Sequence, residues 1–175
     1  MEVVKVLAER GADINKARND GATPLFKASE KGHVEVARVL LDRGADVNQA
    51  ENNGATPLFM ASGQGHVEVV RVLLDGGADI NQAMNIGYTP LFAASQQGHV
   101  EVVRALLDGG ADINQARNNG CTPLYIASQN GHVEVVRVLL DGGADINQAW
   151  NNGDTPLCVA SQEGHVEVAR VLLDR

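Results

Sequence analysis

Aromatic residues are scarce in this 175-residue chain, which has three Phe, two Tyr and one Trp. Any core must therefore be aliphatic and alanine-rich, and 44% hydrophobic residues suffice to build one. Cysteine is as sparse. Cys121 and Cys158 cannot form a disulfide framework, and they fall at unrelated positions without metal-binding spacing. Cations are outnumbered, with 14 Lys and Arg against 22 Asp and Glu and a net charge of −8. Binding along a phosphate backbone needs clustered Lys and Arg, so nucleic acid is not an expected partner. No apolar run approaches the roughly 18 residues of a membrane span, so membrane insertion is not expected. Met1-Glu2 also lacks the basic start of a secretory leader. These absences point to a soluble protein of a reducing compartment, cytoplasmic or nuclear.

Proline is rare as well, but its placement is regular. Pro24, Pro57, Pro90, Pro123 and Pro156 are each 33 residues apart, and His33, His66, His99, His132 and His165 keep the same interval. Residues 11–175 form five 33-residue periods without insertion or deletion. Thr23 can cap a helix that starts at Pro24, where a missing N–H costs nothing. That helix should end after about two turns at Gly32, a residue free to take the left-handed conformation. A second helix is expected from about Val34 to Asp42, with Val36, Val39 and Leu40 on its apolar stripe and Glu35 three residues before Arg38. Asn52-Asn53-Gly54 makes a tight turn before the next Thr-Pro. Two short helices cannot bury their apolar faces alone, whereas stacked copies can. The expected fold is an all-α solenoid of helix-turn-helix units joined by β-hairpin-like turns. It forms a single domain over 1–175, with a partial unit at 1–17, full units at 18–50, 51–83, 84–116 and 117–149, and a truncated unit at 150–175.

The unit Gly-x-Thr-Pro-Leu, followed by Gly-His-Val-Glu-Val and Leu-Leu-Asp-x-Gly-Ala-Asp, resembles the ankyrin repeat along the whole chain. One departure is consistent: the His that follows Thr-Pro-Leu in that family is replaced by Phe26, Phe59, Phe92, Tyr125 and Cys158. The resemblance implies a non-catalytic scaffold without cofactor that holds a protein partner on a concave face of turns and first helices. It also implies that Asn48, Asn81, Asn114 and Asn147 occupy positions resembling asparaginyl-hydroxylase targets, with Asn15 in the same register. A spacer segment of a longer array is the structural alternative. Neither end carries the polar outer face of a capping unit, so fraying or self-association through the ends is expected.

Repetition argues against chemistry. One His per stacked unit leaves neighbouring rings roughly 8–10 Å apart, too far to share a metal ion. The Ser residues from Ser29 to Ser161 recur identically after Ala, as scaffold does and a unique active site does not. The acidity is also largely framework, at about −2 per unit. It is unevenly offset, since residues 1–43 hold eight basic and seven acidic side chains. The surroundings of Arg18, Lys27, Lys31 and Arg43 therefore differ from the acidic remainder, which favours a basic partner.

Partner specificity should lie where the copies differ. They differ at the turn tips, in Met84, Ile86, Tyr88, Arg117 and Trp150, and at the first-helix ends, in Gln96, Gln97, Gln129 and Asn130. Four of the six rings occupy the fixed site after Thr-Pro-Leu, leaving Tyr88 and Trp150 as tip aromatics. Tyr, Trp and Arg are the residues most enriched at binding hot spots. Alanine at Tyr88 or at Trp150 is expected to cost more than about 1 kcal/mol of partner affinity, measured by calorimetric titration.

Overall fold

Each Thr-Pro pair nucleates a helix through two cooperating features. Thr23 is extended (φ −87°, ψ 167°) and its Oγ1 accepts the Phe26 N–H at 3.1 Å, while Pro24 takes the first helical position. Thr56, Thr89, Thr122 and Thr155 repeat the cap. The computed structural model describes residues 10–175; residues 1–9 of the expected partial unit lie outside the described residues.

The helices alternate along the chain. First helices are α1 (Pro24–Glu30), α3 (Pro57–Gly63), α5 (Pro90–Gln97), α7 (Pro123–Gln129) and α9 (Pro156–Gln162). Second helices are α2 (Val34–Asp42), α4 (Val67–Asp75), α6 (Val100–Asp108), α8 (Val133–Asp141) and α10 (Val166–Leu173). No strand occurs among the described residues. Each first helix packs on its own second helix and on the first helices before and after it, and the second helices stack likewise. The result is a two-layer solenoid whose units touch only their neighbours.

One continuous aliphatic core runs between the layers. Leu25, Leu58, Leu91 and Leu124 enter it from the first helices, and Leu40, Leu73, Leu106 and Leu139 from the second. Val39 and Leu40 of α2 are buried as the i, i+3, i+4 pattern predicts, but Ala37 widens the stripe. Ala37 is fully buried while Val36 is only half-buried, because the second helix must face both its own first helix and the next second helix. Ala and Ser side by side on the first helices allow their close stacking. Ser29 and Ser128 are buried and donate to the carbonyls of Leu25 and Leu124 at 2.8 Å.

Three hydrogen-bond ladders join the units. His66, His99, His132 and His165 each direct Nε2 to a carbonyl near the end of the preceding first helix, at Glu30, Gly63, Gln96 and Gln129, over 2.9–3.2 Å. Carbonyl acceptors require the protonated nitrogen to be Nε2. The framework role of these histidines is thus a bond between units rather than one inside a unit. In the second ladder, Asn15, Asn48, Asn81 and Asn114 accept the backbone N–H of Asp46, Asp79, Asp112 and Asp145 at 2.8–2.9 Å. The third runs along the tips, where Asn52 and Asn85 donate from Nδ2 to the carbonyls of Asn19 and Asn52.

The His ladder constrains the helix ends. Gly98 has φ +77°, and a Cβ there would lie 2.7 Å from Nδ1 of His132. Gly110 has φ +88° but nothing within 4 Å of the same virtual atom. In urea unfolding, Gly110→Ala should lose about 1–2 kcal/mol, the cost of a left-handed alanine. Gly98→Ala should lose about 1–3 kcal/mol more, from overpacking against the ring. Equal losses would show that the ring contact contributes nothing.

Candidate partner-binding face

The turn tips are short hairpins closed by backbone bonds. Met84 N–H donates to Tyr88 O, Arg117 N–H to Cys121 O and Trp150 N–H to Asp154 O, each at 2.9 Å. A glycine amide closes the other side, as in Gly120 N–H to Arg117 O at 2.8 Å. Tips are joined by Asn52 N–H to Asp20 O, Asn85 N–H to Asn53 O and Asn151 N–H to Asn119 O at 3.0–3.1 Å, while Asn118 Nδ2 to Asn85 O at 3.4 Å links the third tip to the fourth. The first and fifth residues of each tip are therefore held side by side in a fixed row.

Under the tips lies a second apolar strip, separate from the main core. Phe92, Cys121, Tyr125, Ile126 and Val159 form one cluster, with Tyr88 and Trp150 packed against it. Ala22, Phe26 and Ala55 form another, with Phe59, Met60 and Met84 against it. The residues after Thr-Pro-Leu thus support the turns.

The structure brings Tyr88, Arg117 and Trp150 to the same cluster. The Tyr88 ring lies 4.8 Å from that of Phe92, at 48°. The Arg117 guanidinium carbon stands 3.8 Å from the Tyr88 centroid and 5.5 Å from that of Phe92. Trp150 meets Tyr125 at 5.7 Å and 55°. Met84 packs into the other cluster. The sequence suggests that these tip residues are exposed, but only Ile86 is, at 49%; Met84, Tyr88, Arg117 and Trp150 are half-buried. Met84, Tyr88, Arg117 and Trp150 each find a neighbouring unit to cover them, a contact that no single unit contains.

The helix-end candidates divide between structure and surface. The backbone carbonyl of Gln96 accepts from His132 and from Nδ2 of Asn130, at 3.0 and 2.8 Å. Gln129 contributes its carbonyl to His165, and Gln97 and Asn130 are exposed. Gln96 and Gln97 also rim a groove of about 220 Å³ between α3 and α5, lined further by Phe59, Met60, Gly63, Gln64 and Ala93. Sequence reasoning missed this groove. Its signal was the coincidence of Gly63 and Ala93, two small residues in adjacent units that leave the space open.

Asn48, Asn81 and Asn114 carry the second ladder, and Asn147 is exposed. Among the described residues, no three His, Cys, Asp or Glu side chains converge as a metal site. No helix among the described residues is long and apolar enough to cross a membrane.

A family model for ankyrin repeats, three copies long, matches residues 1–84, 49–117, 77–149 and 110–175, and so the whole chain. The chain belongs to the ankyrin-repeat family. Ankyrin repeats are generally protein–protein interaction modules and typically not enzymes. No curated protein matches this chain.

The cations on the second helices are paired locally. Arg38, Arg71, Arg104, Arg137 and Arg170 each pair with the Glu three residues earlier, at 2.7–4.0 Å. The cations of the first ankyrin repeat are also engaged. Arg18 meets Asp20 at 3.2 Å, and Lys27 and Lys31 share Glu30 at 3.0 and 3.3 Å. The Ala22 amide, with lesser help from Arg18 and Lys27, holds the Asp20 carboxyl below its usual range.

The two thiols differ sharply. Burial pushes Cys121 up to about 11 against a weaker opposing pull from Arg117, whereas Cys158 is exposed and lowered by its hydrogen bond with Thr155. Mildly alkaline iodoacetamide should therefore alkylate Cys158 and spare Cys121 in the folded ankyrin array, as read by peptide mass mapping. Denaturant should remove the selectivity. Equal labelling of the native protein would contradict the burial.

Proposed function

We propose that this array is a non-catalytic interaction scaffold that holds a protein partner on the concave face made by its turns and first helices. The observation that carries the reading is the coincidence of variation with a rigid support. Ile86, Tyr88 and Trp150 differ from their counterparts in every other unit, and Arg117 from all but Arg18, yet they stand on hairpins bonded to their neighbours and on one aromatic strip. A preorganised surface of this kind loses little entropy when a partner docks. The groove rimmed by Gln96 and Gln97 adds an apolar slot with amide edges, suited to a peptide side chain and its backbone.

Peptides selected from a random phage-displayed library on the intact chain provide the test. Their affinity should fall about tenfold or more in an Ile86→Asp, Gln97→Arg double variant, the scale of one hot-spot contact. It should stay unchanged in Arg104→Ala, which alters an exposed pair on α6. Equal losses in both variants, or failure to select any peptide, would overturn the reading.

A further inference from the structure

Arg117 is an exception among the cations of residues 44–175. Between residues 44 and 175, Arg71, Arg104, Arg137, Arg170 and Arg175 each meet a carboxylate, and Arg117 is the one described cation there that meets none. Its counterpart in the first unit shows what changed. Arg18 is held by Asp20, two residues along the same tip. The residue equivalent to Asp20 is Asn119, a neutral amide whose Oδ1 is occupied by the Cys121 N–H at 3.2 Å. The carboxylate that would satisfy the guanidinium is therefore absent from its own turn.

A second, independent difference fixes the cation in place. The unit before Arg117 presents Tyr88 where the first, second and fourth units present Ala22, Ala55 and Cys121. The guanidinium carbon stands over that ring, 3.8 Å from its centroid, and Nε is buried without any hydrogen-bond acceptor. A donor left unpaired in this way is expensive on a cation, whereas the terminal nitrogens are not enclosed in the same way. With Nε closed off, they are the donors left to grip a carboxylate end-on, through two parallel hydrogen bonds.

We infer that Arg117, stacked on Tyr88, is the anchor for an Asp or Glu side chain of the protein partner, which binds as an acidic peptide segment with an apolar residue beside the acid. This rests on the scaffold reading above and names the chemistry of its partner. A carboxylate fits better than a phosphate group, because a dianion needs a second cation and residues 44–175 offer no other unpaired one. The apolar neighbour is matched by Ile86, exposed two residues from Tyr88. The surrounding excess of acidic residues repels acidic chains in general, so an acid binds here only when it reaches Arg117 itself. A partner that is basic throughout, as overall charge suggests, would leave this guanidinium unmet.

The peptides selected on the intact chain test the inference directly. The expected result is enrichment of Asp or Glu next to an aliphatic or aromatic residue, with affinity that declines as salt is raised. Changing that Glu to Gln in the peptide should weaken binding about tenfold, a readout that leaves the protein's fold untouched. Arg117→Gln should cause a similar loss, and Arg117→Glu should reverse the preference toward a peptide carrying Lys at the same position, with thermal unfolding confirming that each variant folds. A phosphoserine peptide binding more tightly than its Glu counterpart would overturn the carboxylate assignment. Peptides that lose affinity in the Ile86→Asp, Gln97→Arg variant but ignore every change at Arg117 would refute this inference alone. If no peptide is selected, the scaffold reading fails and this one fails with it.

Discussion

The bond from each histidine to the preceding first helix holds the rest of the structure in register. A single unit of two short helices has no interior, so its fold exists only where another unit covers it. His66, His99, His132 and His165 supply that link by donating to a carbonyl at the end of a short helix, where no intrahelical N–H remains to pair with it. The ring fills the space beside Gly32, Gly65, Gly98 and Gly131, so one side chain satisfies an acceptor and sets the spacing of the stack. The second ladder links units in the converse sense, each Asn Oδ1 accepting a backbone N–H of the next unit.

This division of labour explains why the tips are free to vary. Register is maintained by backbone bonds, capping threonines and the His and Asn ladders, none of which uses the side chains that differ between copies. The side chains of Tyr88, Arg117 and Trp150 take part in none of these bonds. Once present, they pack across the boundary between units and become parts of one surface. A binding face built this way takes its rigidity from repeated parts and its identity from the few exceptions.

Most of the fold was legible in the sequence, because the signals were local and occurred five times. Thr23-Pro24 and the glycines at helix ends act through their own backbone neighbours, and the 33-residue interval shows that the same geometry recurs. The partner-binding residues were legible only as places of difference. Their environment was not, since Tyr88 is covered by a guanidinium 29 residues along the chain and Trp150 by a ring 25 residues before it. The groove beside Gln96 was harder still, as it arises from small residues in two different units.

By itself, then, the sequence determined the unit, its two helices, the family and the acidic balance, all of which depend on short-range chemistry or on counting. Only the tertiary structure decided which scarce aromatics were exposed. Stacking half-covered both tip rings, Tyr88 and Trp150, and left Ile86 as the open apolar tip. It also singled out Arg117. Whether a cation has a partner depends on which carboxylates the stack brings within reach, and pairing between units cannot be read from any one of them.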